Sequence, residues 1–182
     1  MHGVAMRWLT RDWHGWGERD MSDADYKAAS VAYVEHNDAI LPSLPEQLRV
    51  FAGEPGPDGY VSLHDGRAEW WAYVPGQSLT LQIFCFDEPS GYRRVTLQYR
   101  GSIALRDADE AQLAALLDDP KTEFLFQEID IDENAGFEHR HLLWPAGEFG
   151  VRFSHATLIS APATAADYRR MLATKGIEEA DT

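Results

Sequence analysis

The sequence predicts an α+β fold: a predominantly antiparallel sheet of about seven strands, a meander curled or folded like a sandwich, with N-terminal helices and one inserted helix. Three observations carry that expectation. Between residues 60 and 160, short segments rich in β-branched and aromatic residues recur at strand length, with turn-forming words between them. Their connections are mostly of hairpin length, too short for the helical crossovers that parallel strands need. Helical patterning gathers outside that region, apart from one stretch near residue 110.

Taken in order, residues 6–13 hold Trp8 and Trp13 around Thr10, and Trp16 follows between two glycines. Ser22 reads as an N-cap, with Asp23 and Asp25 in a first turn whose dipole favours negative charge. Tyr26, Tyr33, Val34, Ile40 and Leu41 fall near helical spacing on a thin apolar face, and Pro42 ends that helix. Ser43-Leu44-Pro45-Glu46 has the form of a capping box and predicts a second short helix as far as Phe51. Residues 53–59, with their prolines and glycines, form a loop too short to demand a domain boundary. After it comes the polar word Leu63-His64-Asp65-Gly66, whose Asp-Gly pair marks a turn.

Strands are expected at 67–74, 78–86 and 92–100, parted by Pro75-Gly76-Gln77 and by residues 87–91. Asp107-Ala108-Asp109-Glu110 opens the inserted helix, Leu113, Leu116 and Leu117 share one side of it, and Asp118-Asp119-Pro120 closes it. Strands resume at 124–132, 137–144 and 151–160. Thr164 then caps a last helix, stopped by Lys175-Gly176. The whole reads as a single domain over 1–182: a mostly helical part at 1–52, a strand-rich part at 60–160 and a C-terminal helix at 164–175.

Composition narrows the function classes. Apolar residues make up 45% of the 182, an ordinary globular share that argues against disorder. Cys85 is the single cysteine, which excludes an intramolecular disulfide, and its neighbours Ile83, Phe84 and Phe86 predict a buried thiol. The first residues lack the apolar core of a signal peptide and no run reaches membrane-spanning length, so the expectation is a cytoplasmic protein with no membrane partner. Thirty acids against sixteen bases give a net charge of −14, which disfavours nucleic acid, because phosphate contacts need clustered Lys and Arg. Ten of those acids and only two bases fall within residues 105–134. That stretch predicts either a solvated face that keeps the protein soluble or a landing surface for a basic protein partner, with Asp107, Asp109, Glu110, Asp118 and Asp119 as the docking residues.

No complete catalytic constellation is legible, and the catalytic residues, if the chain is an enzyme, stay unassigned. Asp130-Ile131-Asp132-Glu133-Asn134-Ala135-Gly136 begins like a calcium loop, but its glycine arrives one position late and His141 stands where a bidentate glutamate is needed, so it reads as a hairpin turn. His139-Arg140-His141 places two imidazoles on one face of a strand. If Trp144 sits opposite Gly150 across the next turn, His139 falls opposite His155 and His141 opposite Phe153. Three histidines would then converge, and zinc is the cofactor such a set would take, with a water as fourth ligand. The plainer reading is a half-buried face whose histidines bond to backbone and carboxylates. His64-Asp65 could supply a base and its orienting carboxylate, but neighbours in a strand point to opposite faces, so Asp65 is expected to hold the turn instead.

Trp8-Leu9-Thr10-Arg11-Asp12-Trp13, the Leu44-Pro45 pair, Leu63-His64-Asp65-Gly66 and the late Phe137-Glu138-His139-Arg140-His141-Leu142-Leu143 followed by Val151-Arg152-Phe153 resemble the motifs of a family of uncharacterised bacterial proteins. The resemblance spans most of the chain and implies the same sheet-rich fold in a bacterial, intracellular setting; it carries over no catalytic residue. Small acidic bacterial proteins with similar sheets include immunity proteins that neutralise toxins, an analogy of form only. Two functions follow as expectations. One is a non-catalytic binding module, inhibitor- or immunity-like, whose acidic surface meets a basic partner. The other is a metal-assisted hydrolase or small-ligand binder using His139, His141 and His155.

Overall fold

The strands pair into two four-stranded antiparallel sheets, which face each other across one apolar core. The structure, a computed structural model, describes residues 6–13, 21–55, 61–87, 91–101, 103–132 and 136–177. Trp16, loop residues 56–60 and Glu133 lie outside them. The first sheet runs in the order β1 (Arg67–Val74), β2 (Ser78–Asp87), β3 (Gly91–Arg100) and β8 (His155–Pro162). The second runs β4 (Ala104–Arg106), β7 (Glu148–Phe153), β6 (Gly136–Trp144) and β5 (Glu123–Asp132). Four α-helices complete the described residues: α1 (Asp23–Ile40), α2 (Glu46–Arg49), α3 (Glu110–Asp118) and α4 (Ala165–Thr174). The fold is α+β, and the sandwich is the form it takes; no closed barrel is present among the described residues.

The chain lays down β1 to β3 as a meander, crosses to the second sheet for β4 to β7, and returns with β8 beside β3. Both crossings share one corner. The Ser154 N–H donates to the carbonyls of Arg100 and Gly101, and Gly101 has a positive φ of 74°. A Cβ at Gly101 would also stand 2.3 Å from Ser154 Oγ, a hydroxyl that can rotate away, so it is the backbone conformation that calls for glycine. The sequence reading of 151–160 as one strand is therefore corrected: the segment breaks at Ser154 and divides between the two sheets.

Helix starts follow their caps. Ser22 accepts from the Asp25 N–H, while Asp109 with Gln112, and Thr164 with Asp167, form reciprocal capping boxes. Ser43 does not cap α2; Pro45 occupies the N-cap position without a side-chain bond, and Ser43 ends a 3-10 turn, Leu41–Ser43. Helix α4 covers the outer face of the first sheet by burying Phe84 against Met171 and Leu172. Residues 6–13 and α1 lie over the outer face of the second sheet, where Met6, Leu9, Leu125 and Leu142 form a small core of their own, with Trp13 and Tyr33 packed against it.

The Leu63-His64-Asp65-Gly66 word ties the sheets together. The Asp65 N–H donates to the Phe124 carbonyl and the Phe124 N–H to the Gly66 carbonyl, each at 2.8 Å. Gly66 is required by close approach, because a Cβ there would meet the Leu63 carbonyl oxygen at 2.6 Å and Ile83 Cγ2 at 2.8 Å. Gly66→Ala should accordingly lower the unfolding free energy by about 1–3 kcal/mol, the usual cost of overpacking. Urea titration checks this, and an unchanged midpoint would mean that the corner yields without strain.

Candidate functional site

Strand β6 carries polar side chains to both of its faces. His139 and His141 point between the sheets with Phe137 and Leu143, while Glu138, Arg140 and Leu142 point to the opposite face. The histidines do share a face, with ring centroids 4.2 Å apart, but His155 does not join them. His139 pairs with Val151 and His141 with Phe149, because the turn is tighter than expected and the Leu143 N–H already bonds to the Gly147 carbonyl. His155 lies past the break at Ser154, exposed on the first sheet opposite Arg100, with its Nδ1 3.0 Å from Ser154 Oγ. The three-histidine zinc site therefore does not assemble. Among the described residues no group of three or more His, Cys, Asp and Glu side chains is placed to hold a metal ion.

The partner of both buried imidazoles is Tyr99 of β3, a residue sequence reasoning missed. Its hydroxyl lies 2.8 Å from His139 Nδ1 and 3.3 Å from His141 Nε2. One hydroxyl has one proton, so it donates to one ring and accepts from the other. Whichever way round, the far nitrogens, His139 Nε2 and His141 Nδ1, remain as one buried donor and one buried acceptor without partners. Burial, reinforced by neighbouring Arg140, lowers the His139 pKa to about 3; burial and then His139 hold His141 well below the ordinary imidazole range. Burial likewise pushes the Tyr99 phenol up. These are neutral core groups, and the expected bonds to backbone and carboxylates are replaced by a shared phenol.

On the other face the carboxylates of the acidic stretch are largely consumed. Arg140, 2% exposed, lies 2.7 Å from Glu138, 3.4 Å from Asp130 and 3.7 Å from Glu128. Arg7 reaches Asp130, and Arg152 reaches Asp132. Glu128 also accepts the backbone N–H groups of Arg7, Trp8 and Leu9. Those bonds seat the N-terminal segment on the sheet, and Arg11 helps by donating to the Leu143, Pro145 and Gly147 carbonyls. Glu123 pairs with Arg67. What remains exposed sits at the two ends of α3: Asp107, Asp109 and Glu110 at its start, Asp118 and Asp119 at its finish. Asp109 caps the helix, Asp118 accepts from the Trp71 indole, and Asp119 accepts from the Lys121 N–H. The acidic stretch thus divides into a buried ionic layer and two small exposed groups.

A cleft of about 210 Å³ opens across the edge of β5, beyond the bridge from Gly66 to Phe124. Leu9, Leu63 and Leu125 give it apolar walls, Tyr33, Phe51 and Phe126 give it aromatic ones, and Ser62, His64 and Gln127 give it polar atoms. A bulge at Leu125 lets adjacent β5 residues serve both sides of the edge. Here the strand argument about His64 and Asp65 is overturned. Asp65 adopts φ 58°, a left-handed conformation that aspartate tolerates, and its Oδ1 comes within 3.1 Å of His64 Nδ1. The two side chains are 42% and 65% exposed, so this is a surface contact that holds the imidazole beside the cleft. Ser62 Oγ accepts the His64 N–H, and the imidazole meets the Phe126 ring edge-on at 5.6 Å. Gln127 Oε1 is buried with no hydrogen-bond partner. No protein-family model matches the chain, and no curated protein or solved structure matches it.

Proposed function

We propose that the protein is a binding module whose ligand site is the β5-edge cleft, with His64, oriented by Asp65, as its principal polar contact. The observation that carries this reading is the His64–Asp65 contact beside a cleft walled by Tyr33, Phe51 and Phe126. Apolar walls with a few placed polar groups are the usual make-up of small-molecule sites. A fragment screen followed by backbone amide chemical shifts tests it. Hits should perturb residues 62–64 and 125–127, and His64→Ala should weaken them by about tenfold, the loss of one good hydrogen bond to a polar group. Hits that perturb only distant residues would overturn the assignment.

A second reading, docking of a basic protein, is supported by the exposure of Asp107, Asp109, Glu110, Asp118 and Asp119 around α3. It expects that reversing Asp118 and Asp119 to lysine slows association with that partner, more so at low salt, since exposed charges act mainly through steering. Association rates that ignore both the substitutions and the salt would remove this reading.

A further inference from the structure

We infer that the β5-edge cleft selects small organic cations, ammonium compounds carrying an apolar or aromatic body, over neutral or anionic molecules of the same shape. The inference rests on the reading of the cleft as a ligand site and adds the chemical class. Four observations converge on it. Tyr33, Phe51 and Phe126 line the cleft together, and aromatic faces attract cations through their ring quadrupoles. Neither lysine nor arginine lines it, so His64 is the one lining side chain that can carry a positive charge. Gln127, also in the lining, has a buried Oε1 without a donor, which an ammonium N–H would satisfy. The terminal amide torsion of glutamine is roughly two-fold, so a half-turn of the amide would present that oxygen to a ligand. Finally, the net charge of −14 enriches cations and depletes anions around the whole molecule.

The cleft encloses about 210 Å³ and is open on one side, so part of a ligand can project from it into solvent. Asp65, outside the lining but in contact with His64, adds a negative charge near the mouth of the cleft.

The test compares three near-isosteric probes on the full chain: 2-phenylethylammonium, 2-phenylethanol and phenylacetate. Affinities are measured by calorimetry, and the site is identified from amide shifts at residues 62–64 and 125–127. The ammonium should bind at least about tenfold more tightly than the alcohol, with phenylacetate weakest, and added salt should narrow the gap. Gln127→Leu should weaken the ammonium about fivefold and leave the alcohol within about twofold; a circular-dichroism melt establishes that this variant is folded. If the alcohol binds in the cleft as tightly as the ammonium, or the variant weakens both alike, cation selection is wrong while the ligand site stands. If none of the three shifts a cleft residue, the site itself fails and takes this inference with it.

Discussion

Replacing Arg140 with leucine is expected to destabilise the protein by about 3–5 kcal/mol, the cost of removing one partner from a buried ionic cluster. The guanidinium is 2% exposed and stands among three carboxylates: Glu138 at 2.7 Å, Asp130 at 3.4 Å and Glu128 at 3.7 Å. Without it, Glu128 keeps its three backbone donors and Asp130 keeps Arg7, but Glu138 is left with Arg106 and Arg152 at 3.8 and 3.9 Å. Lysine should recover only part of the loss, since a point charge cannot serve several carboxylates as a fork does. Urea unfolding of parent, leucine and lysine variants measures this. A loss below about 1 kcal/mol for leucine would show that water reaches the layer and screens it as at a surface.

Stability should fall by about 4 kcal/mol more than other groups explain as the pH drops from 7 to 5, through His139 and His141 alone. Both rings are fully buried with pKa values lowered from 6.5, His139 to about 3 and His141 well below the ordinary range. Within this window they are neutral in the folded state, yet each gains a proton on unfolding below pH 6.5. The unfolded state therefore binds more protons, and stability rises with pH in this window. The contribution is complete above about pH 6.5 and is lost as the pH falls toward the folded-state value, at about 1.4 kcal/mol per unit for each ring. A double variant, His139→Gln with His141→Gln, keeps hydrogen-bonding amides without the titration. Its urea midpoint should depend on pH less steeply by that amount, whatever its absolute stability. Equal slopes for parent and variant would mean that the rings protonate inside the fold.

Local chemistry made much of the architecture readable. Ser22 and Thr164 each cap the helix expected of them, the inserted helix opens within residues 107–110 as read, and Pro75-Gly76-Gln77 turns β1 into β2. The misread parts depend on distant neighbours. In Glu138-His139-Arg140-His141 both alternating sets are polar, so the two-residue period gives no sign of which set faces the core. Tyr99 lies about forty residues away along the chain and accounts for the inward histidines only once the two sheets are stacked. The break at Ser154 carries no proline or other breaker; its backbone bonds go to Arg100 and Gly101, at the end of β3 and just beyond it. The cleft draws on Leu9, Tyr33, Phe51, residues 62–64 and residues 125–127, segments with no local pattern in common. Only His64-Asp65 left a trace in the sequence. Its meaning turned on a left-handed aspartate that a strand rule does not anticipate.

The shared corner at Gly101 and Ser154 sets an order of assembly. Strand β3 finds one neighbour in β2, four residues upstream where Asp87 pairs with Gly91, but its other neighbour, β8, follows it by more than fifty residues. During synthesis β1, β2 and β3 can form a hairpin stack early, while the far edge of β3 keeps its backbone donors and acceptors open until β4 to β7 have been made. An open strand edge of that kind is a template for pairing with other chains. Closure of the sandwich by β8 brings together residues remote in sequence, which places folding among the slower, loop-entropy-limited class. The nascent chain is therefore most exposed to aggregation in the interval between completing β3 and delivering β8, and a chain cut just before Ser154 would remain in that state.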